Sequence, residues 1–511
     1  MKLVIIDLKS PVFMELNDYV LKNDDVTILA LSPSAFYYLE LNNIDYISFH
    51  DLITIEKFRD EILKFYKEIL KLNENNVYFK GYFVDVAQYI SCFYYIDTII
   101  SYIKVNFFDE IVYITDKEMI ENKVLSNYYS FLHNYIDFTK IININEKSNN
   151  NYLHHILKRY TFLTLYRKLK NKFFSYNLNY DWLYVSPTIS NQSIHIDNLV
   201  IKCDINKFNY IKDSILTFNI NQETKKISNY HTFLTKKEYL FVLKYKESGI
   251  KIFFFQHGNY LYKNIFIKYY EVELSDINFV FNDYTKKLFK ELGAKKVYSV
   301  GSMLFNKKIK ERKRKYDFLY IIQGHDYLGS LQYIDFPNSL HSFDGYELYQ
   351  RHASIIKLFG KTFKDKKIVI KVHPLVVNNG LYVPFWELSE LYDNITIDVS
   401  TPVHNLIEKS KYIISDYFTT EFISRELHYK RDIILFQGAP TPLPKEIFED
   451  MKKMFILVDS VDDLEDKIKN IENIIKNRKR YDEIIEYYSS KNCDTKKIVT
   501  DILEKELVKF T

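Results

Sequence analysis

Short runs of β-branched and aromatic residues alternate with longer helical patterns along almost the whole chain of 511 residues. This alternation is typical of parallel sheets, because a parallel strand needs a long crossover connection, usually a helix, before the next strand can pair with it. The chain is too long for one ordinary core, which favours two domains or one domain with large insertions. The sequence therefore predicts an α/β fold built from two units.

The predicted strands fall into two sets. The first set is Leu3–Ile6, Val26–Leu31, Tyr46–Phe49, Ile111–Thr115, Trp182–Ser186, Ile252–Phe255 and Phe279–Phe281. The second set is Phe318–Ile322, Ile368–Val372, Ile395–Val399, Tyr412–Ser415, Ile433–Phe436 and Phe455–Val458. We expect each set to form a Rossmann-like domain.

These sets give the predicted domain boundaries. Residues 1–305 form an N-terminal, acceptor-side domain with a helical elaboration at about 119–228, and residues 306–315 form a basic linker. Residues 316–461 form a C-terminal, nucleotide-donor domain, and 462–511 form a charged helical tail that packs back across the molecule. Two such halves facing a cleft describe the GT-B arrangement, although a fold by itself does not give a function.

Composition excludes several classes of protein. The chain has only 11 glycines and no GxGxxG fingerprint, and the segment Gly324–Ser330 lacks the lysine of a phosphate-binding P-loop, which disfavours nicotinamide enzymes and P-loop NTPases. Its 70 basic and 66 acidic residues leave a net charge of +4, too small for a dedicated nucleic-acid binder. Three widely spaced cysteines indicate neither a zinc site nor a disulfide framework. We expect a cytoplasmic protein that has no transmembrane segment, no metal and no cofactor.

One dense basic run, NKKIKERKRK, occupies Asn306–Lys315. The simpler interpretation is a solvated linker, because charge runs are usually exposed to water. The alternative is a hinge beside a polyanionic substrate or an anionic membrane surface, which would allow peripheral association with the inner face of the cell membrane.

The run KIFFFQHGN, residues 251–259, predicts a buried strand that ends at His257. Ligands of open α/β sheets bind beyond the carboxyl ends of the strands, where this histidine would stand. An imidazole titrates near neutral pH and can act as a general base. The structural alternative is a histidine that only ends a strand. An acidic residue at another strand end, Asp7, is a second candidate for the base.

Two segments of the second half predict a binding site for the donor phosphates. KIVIKVHP, residues 367–374, is a strand that carries Lys371 near its end and is followed by His373 and Pro374. KYIISDYFTTEF, residues 411–422, is a strand that ends at Ser415. A helix start follows it, and the free N–H groups of a helix start bind anions. The candidate contacts in this segment are Ser415, Asp416, Thr419, Thr420 and Glu421. An ordinary helix cap is the structural alternative for the threonines and Glu421.

The order of three motifs resembles the CDP-glycerol glycerophosphotransferase family of teichoic-acid polymerases. The motifs are HG, then KxHP, then IISDY followed by a Ser/Thr pair. The order of motifs is also similar to bacterial polysialyltransferases and capsular Kdo transferases. The resemblance covers residues 252–459, while residues 1–250 share only a general α/β character. It implies a GT-B cleft.

The resemblance also implies roles for individual residues. His257 would be the catalytic base, and His373 would contact the donor phosphates together with Thr419 and Thr420. The sequence departs from the family at Asn259–Tyr262, where glycerophosphotransferases have a Thr-Pro-Leu-Lys type of continuation. This departure disfavours a glycerophosphate donor.

These motifs lead to one expected function and three alternatives. We expect a metal-independent glycosyltransferase that moves a sugar from a CMP- or CDP-linked donor to a glycan or glycolipid acceptor of the bacterial surface. The alternatives are a CDP-polyol phosphotransferase, a non-catalytic nucleotide- or glycan-binding protein, and a sugar-nucleotide 2-epimerase, for which the sequence has no distinctive carboxylate pattern.

Overall fold

The computed structural model describes residues 1–8, 25–54, 57, 60, 64, 95–115, 132, 136–143, 184–185, 192–193, 219–220, 226–227, 243, 253–256, 260, 263, 267–301, 313–322, 345–372, 383–415, 432–436, 445–491 and 493–507. Three predicted site residues lie within this part of the chain: Asp7, Lys371 and Ser415. The others lie outside the described residues and stay predictions: His257, His373, Pro374, Asp416, Thr419, Thr420 and Glu421.

The first sheet has four parallel strands in the order β2-β1-β3-β4. They are β1 (Lys2–Asp7), β2 (Val26–Ala30), β3 (Glu110–Thr115) and β4 (Lys140–Asn143). The central strand β1 is buried from Leu3 onward, as expected for an apolar run covered on both faces. Helices α1 (Pro33–Leu41) and α2 (Phe49–Leu52) follow β2. The strand predicted at Tyr46–Phe49 is reduced to a single parallel bridge between Leu29 and Ile47.

A second, smaller sheet has three parallel strands in the order β11-β10-β9. Four two-residue strands form two antiparallel pairs: β5 (Tyr184–Val185) with β8 (Lys226–Ile227), and β6 (Gln192–Ser193) with β7 (Asn219–Ile220). The sheet itself contains β9 (Phe253–Phe255), β10 (Ile277–Val280) and β11 (Val297–Ser299), with a π-helix at Ile267–Val272 and α3 at Asp283–Glu291. The described part of residues 1–305 therefore holds two parallel sheets, whereas we expected the first set of strands to form one Rossmann-like domain.

The third sheet has six parallel strands in the order β14-β13-β12-β15-β16-β17. They are β12 (Tyr316–Ile321), β13 (Ile368–Lys371), β14 (Ile395–Asp398), β15 (Ser410–Ser415), β16 (Ile433–Phe436) and β17 (Ile456–Val458). All six strands predicted for the second half are present in this sheet. The chain is therefore α/β, with parallel sheets and crossover helices.

The helices of the second half are α4 (Gly345–Lys361), α5 (Val383–Glu390), α6 (Val403–Glu408), α7 (Lys445–Met454), α8 (Val461–Lys469), α9 (Ile471–Asn477), α10 (Asp482–Tyr488) and α11 (Thr495–Leu507). Alternate residues of β12 pack into two different cores. Phe318 and Tyr320 face α4, α5 and α8, while Leu319 and Ile321 face α6, α7 and α10. The six-stranded sheet is thus covered on both faces, which explains why its strands are almost continuously apolar.

The first sheet and the six-stranded sheet share one apolar core through α1 and α4. At this contact the Tyr349 hydroxyl donates to Glu40 Oε2 at 2.9 Å, and Gln350 Nε2 donates to Glu40 Oε1 at 2.6 Å. Tyr46 also donates to Glu40 Oε1, at 3.1 Å. Burial, and then the Glu40 carboxylate, raise the pKa of Tyr349, so its phenol stays protonated and remains a donor.

The C-terminal segment is helical and packs against the three-stranded sheet. Asn282 Nδ2 donates to the Tyr488 carbonyl at 2.7 Å, and the Lys491 backbone N–H donates to the Phe281 carbonyl at 3.0 Å. Gly301 has φ +74° and no room for a side chain, because a Cβ there would lie 2.4 Å from the Lys491 carbonyl oxygen. Within the described residues, no helix is long and apolar enough to span a bilayer.

Candidate functional site

The six-stranded sheet has a single point at which its strand order reverses. Counting its strands along the chain, the order is 3-2-1-4-5-6, so the reversal falls between β12 and β15. Connections on the two sides of that point lie on opposite faces of the sheet, which leaves a crevice beyond the carboxyl ends of the strands. The candidate site is therefore the carboxyl edge formed by β13, β12 and β15.

Lys371 is the last residue of β13 and is held at this edge by Asp398, the last residue of β14. The side chain of Lys371 is largely buried, and its Nζ lies 3.7 Å from Asp398 Oδ1. The same oxygen accepts the backbone N–H groups of Ser400 and Thr401, at 3.0 and 2.6 Å. An ammonium group has three hydrogens, so a lysine can contact more than one acceptor at a time.

Asp398 did not stand out in the sequence. A signal was present in Asp-Val-Ser-Thr, residues 398–401, because an aspartate at a strand end commonly accepts the backbone N–H groups of the turn that follows. What the sequence did not indicate is that this turn would lie beside Lys371, since the two strands are separated by a helical crossover.

Ser415 is the last residue of β15 and is fully buried. In the strand register, Ile321 of β12 is the partner of both Lys371 and Ser415. Residues in register on parallel strands project to the same face of the sheet, so Lys371 and Ser415 flank Ile321 on one face at the reversal point. The structure thus brings together the two described residues that were predicted to bind phosphate.

The remaining predicted donor contacts follow these strand ends in the sequence. His373 follows Lys371 by two residues, and Asp416 follows Ser415 immediately. Both lie outside the described residues, and their roles stay predictions.

The three-stranded sheet fixes the residue that precedes His257. Gln256 is buried at the end of β9, and its backbone N–H donates to the Phe279 carbonyl at 2.9 Å. Its side-chain Oε1 accepts the Phe281 N–H at 2.6 Å, and its Nε2 donates to Thr285 Oγ1 at 3.4 Å. Gln256 is therefore anchored by both its backbone and its side chain, at the carboxyl end of β9 and one residue before His257 in the sequence.

Asp7 occupies a comparable position in the first sheet. It ends β1, is fully buried and accepts a hydrogen bond from the Tyr113 hydroxyl at 2.9 Å. Ser32 Oγ accepts the Leu8 N–H at 2.9 Å and thereby joins the end of β1 to the start of α1. Asp7 is in a different sheet from Lys371 and Ser415, and its role as a base stays a prediction.

Glu271 is a buried acid that no sequence pattern had indicated. It is 2% exposed, and its Oε1 accepts the Tyr260 hydroxyl at 2.6 Å. Its second oxygen is buried without a hydrogen-bond partner among the described residues. Burial raises the pKa of Glu271 well above its ordinary value, because the charged form loses its hydration inside the protein. The hydrogen bond to Glu271 Oε1 holds Tyr260, which follows Gly258 by two residues in the sequence.

No known protein family matches the sequence, and no curated protein does so either. Among solved structures, the UDP-GlcNAc 2-epimerase of Neisseria meningitidis bound to UDP-GlcNAc is 10% identical, with a TM-score of 0.35 over 99% of this chain and 100% of that chain. The S. aureus MnaA–UDP structure is 11% identical, with a TM-score of 0.36 over 83% and 93%. The UDP-GlcNAc 2-epimerase of Methanocaldococcus jannaschii, in complex with UDP-GlcNAc and UDP, is 12% identical, with a TM-score of 0.31 over 99% and 100%. TM-scores of this size do not establish a common fold, so the architecture rests on the strand order of this chain.

Proposed function

We propose that the protein is a glycosyltransferase of bacterial surface-glycan assembly that uses a cytidine-nucleotide sugar as donor. The observation that carries the proposal is the placement of Lys371 and Ser415 on one face of a six-stranded sheet, on either side of its reversal point. That is where open α/β sheets bind nucleotides. The order of the HG, KxHP and IISDY motifs supports a transferase, and the departure at Asn259–Tyr262 supports a sugar rather than a glycerophosphate donor.

In this proposal the second half binds the donor. The cationic Lys371, together with His373 and the helix start at Thr419 and Thr420, neutralises the charge that develops on the departing nucleotide phosphate. Pro374, Asp416 and Glu421 are assigned to the nucleoside side of the site. Asp398 positions Lys371 and does not itself contact the donor.

The acceptor hydroxyl comes from the first half. His257, or Asp7 as the second candidate, removes its proton as the hydroxyl oxygen bonds to the anomeric carbon of the sugar. The bond between that carbon and the phosphate oxygen breaks, and its electron pair leaves with the nucleotide. The acceptor is a capsule, lipooligosaccharide or teichoic-acid type of glycan on the cytoplasmic side of the membrane.

A thermal-shift panel with CMP, CDP, UDP and GDP tests the donor class, because a nucleotide that binds only the native state raises the melting temperature by mass action. We expect the largest shifts with CMP or CDP. The double variant Thr419→Ala/Thr420→Ala should weaken CDP binding more than cytidine binding, since the helix start contacts phosphate. Equal losses for both ligands would show that the threonines act only as a cap.

Other outcomes of the panel separate the alternatives. A selective shift with UDP would contradict a cytidine donor and favour the sugar-nucleotide 2-epimerase. A cytidine-nucleotide shift without sugar transfer would favour a non-catalytic binding protein. Release of CMP from a CDP-polyol, with transfer of the polyol phosphate, would identify the phosphotransferase.

A further inference from the structure

Basic side chains gather at the amino edge of the six-stranded sheet, opposite the candidate nucleotide site. Backbone hydrogen bonds tie three strand starts together there: the Lys315 N–H donates to the Lys409 carbonyl at 2.7 Å, and the Asp317 N–H donates to the Lys367 carbonyl at 2.8 Å. We call this surface the basic edge, and define it by Lys313, Arg314, Lys315, Lys361, Lys364, Lys366, Lys367, Lys409 and Lys411. All nine are exposed or half-buried.

Several acids at this edge are already engaged. Asp365 pairs with Lys366 at 2.7 Å, Glu472 pairs with Lys411, and Asp317 Oδ2 accepts the Lys367 N–H at 2.8 Å. By contrast, the exposed run Lys313, Arg314 and Lys315 makes no ion pair with any of the residues that the structure describes. The run Lys313–Lys315 therefore presents positive charge to solvent that no described carboxylate pairs with.

An exposed apolar side chain lies at the same edge. Leu391, in the turn between α5 and β14, is 64% exposed. This turn is fixed against the end of α4 and the turn before β13, because Asn394 Nδ2 lies 3.1, 3.0 and 3.0 Å from the carbonyl oxygens of Phe359, Phe363 and Lys366 and shares its two hydrogens among them. Asn394 follows Leu391 by three residues, so Leu391 lies at the same edge of the sheet as Lys366, in a turn that also carries the exposed acids Glu390 and Asp393.

We propose that the basic edge docks onto a bilayer containing anionic phospholipids, with Leu391 entering the headgroup region. Basic side chains lower the free energy of binding at an anionic membrane surface, and an exposed leucine adds apolar area that a lipid surface can bury. The strand starts are spaced about 5 Å apart, so the charges form a broad surface rather than a row. A soluble polyanion would be attracted by the charge but would gain nothing from Leu391.

This inference rests on charge and exposure and not on the proposed activity. The basic edge and the candidate nucleotide site lie at opposite ends of the same strands. In a protein docked through the basic edge, the nucleotide site would therefore face the aqueous phase.

Vesicle flotation with the full chain tests the inference, using phosphatidylcholine vesicles and vesicles with about one third phosphatidylglycerol. The wild type should bind only the anionic vesicles, and less strongly as salt rises. The variant Lys313→Gln/Arg314→Gln/Lys315→Gln should bind them roughly a hundredfold less tightly, at about fivefold per charge removed. The matched control is Lys287→Gln/Lys290→Gln/Lys295→Gln, which removes three exposed lysines near α3 and should bind like the wild type.

Leu391→Ser separates a bilayer from a soluble polyanion. It should weaken vesicle binding several-fold while leaving heparin binding unchanged. The proposal is overturned if the wild type does not bind anionic vesicles, if the two triple variants lose binding equally, or if Leu391→Ser has no effect on vesicles. The CDP thermal shift of each variant should equal that of the wild type, so a failure here is distinguishable from a failure of the proposed function.

Discussion

Lys371 Nζ lies 3.7 Å from Asp398 Oδ1, and this ion pair joins the ends of two neighbouring strands at the candidate nucleotide site. The same carboxylate closes the turn into α6 through two backbone N–H groups. Asp398 therefore fixes both a cation that can contact phosphate and the loop beside it.

We predict that Lys371→Met weakens CDP binding at least tenfold, because the variant loses the cation at the strand end but keeps most of its apolar stem. Isothermal titration of CDP and of cytidine measures the effect, which should be larger for CDP. Lys367→Met, at the opposite end of the same strand, is the matched control and should bind CDP like the wild type. A lower melting temperature with unchanged CDP affinity would show that Lys371 serves only the ion pair.

For His257→Ala we expect transfer to fall by about two orders of magnitude or more, as for the loss of a general base, while CDP affinity changes little. The measurement is the rate of nucleotide release from the donor that the thermal-shift panel identifies, with acceptor present. Asp7→Asn should be assayed in parallel. Near-wild-type turnover in His257→Ala, together with a large loss in Asp7→Asn, would make Asp7 the base.

Glu271 should make the protein less stable as the pH rises. The unfolded chain ionises near the ordinary glutamate pKa of 4.5, whereas the buried side chain stays protonated to a much higher pH. Between those two pH values the native state holds one proton more than the unfolded state, so this group lowers the free energy of unfolding by about 1.4 kcal/mol per pH unit. Glu271→Gln should remove this slope while keeping the hydrogen bond from Tyr260.

Chemical unfolding at a series of pH values from 4.5 to 8 measures the difference between the Glu271→Gln variant and the wild type. The variant should gain stability relative to the wild type as the pH rises above 4.5, because only the wild type carries the raised pKa of Glu271. A constant difference across that range would mean that Glu271 is ionised in the native protein. Glu387, whose pKa burial raises to about 7, contributes a slope of the same sign, but both proteins carry it and it cancels in the comparison.

The contact between α1 and α4 should depend on the hydrogen bond from Tyr349 to Glu40. Hydrogen bonds to charged groups contribute roughly 1.5–3 kcal/mol, so we expect Tyr349→Phe to destabilise the protein by about that amount. A double-mutant cycle with Glu40→Gln measures the coupling by chemical unfolding. Additive effects of the two changes would contradict a direct energetic link between the two units.

Asn282 links the start of α3 to the C-terminal segment, and two variants separate its two roles. Its Oδ1 accepts the Thr285 N–H at 2.8 Å, as a helix cap, and its Nδ2 donates to the Tyr488 carbonyl at 2.7 Å. Asn282→Ser keeps the cap and loses the link to the tail, whereas Asn282→Ala loses both. We therefore expect faster proteolysis of the tail in both variants, with a further fall in melting temperature only for alanine. Unchanged proteolysis in Asn282→Ser would show that Asn282 does not secure the tail.

The strands of the second half could be predicted because each is a compact apolar run. Ile368–Lys371 and Ile433–Phe436 are completely buried, so their composition is nearly uniform and stands out from the charged segments around them. The strands Lys140–Asn143 and Val297–Ser299 were not predicted, since their few apolar residues stand among polar ones and form no compact apolar run. Without such a run, a short sequence pattern does not distinguish a strand from a turn.

Part of the candidate site could also be predicted. Lys371 and Ser415 were found because a strand end is a local feature of the sequence, and their position at the carboxyl edge follows from the strands themselves. Their position on either side of Ile321, by contrast, required the order and register of the strands. Asp398 was missed for the same reason, because it meets Lys371 only across two paired strands.

The sequence by itself determined the α/β class, the strand ends that carry Lys371 and Ser415, and the helical character of the tail. These features depend on hydrophobic periodicity and on the polar residues that end a strand or helix, and both are set by residues close together in the chain. Only the tertiary structure decided that residues 1–305 hold more than one parallel sheet, that Glu40 meets Tyr349, and that Leu391 lies at the same edge of the sheet as Lys366. These relations join residues far apart in the chain. They depend on which strands pair and which helix faces meet, and those choices are fixed by the burial of the whole core rather than by any local pattern.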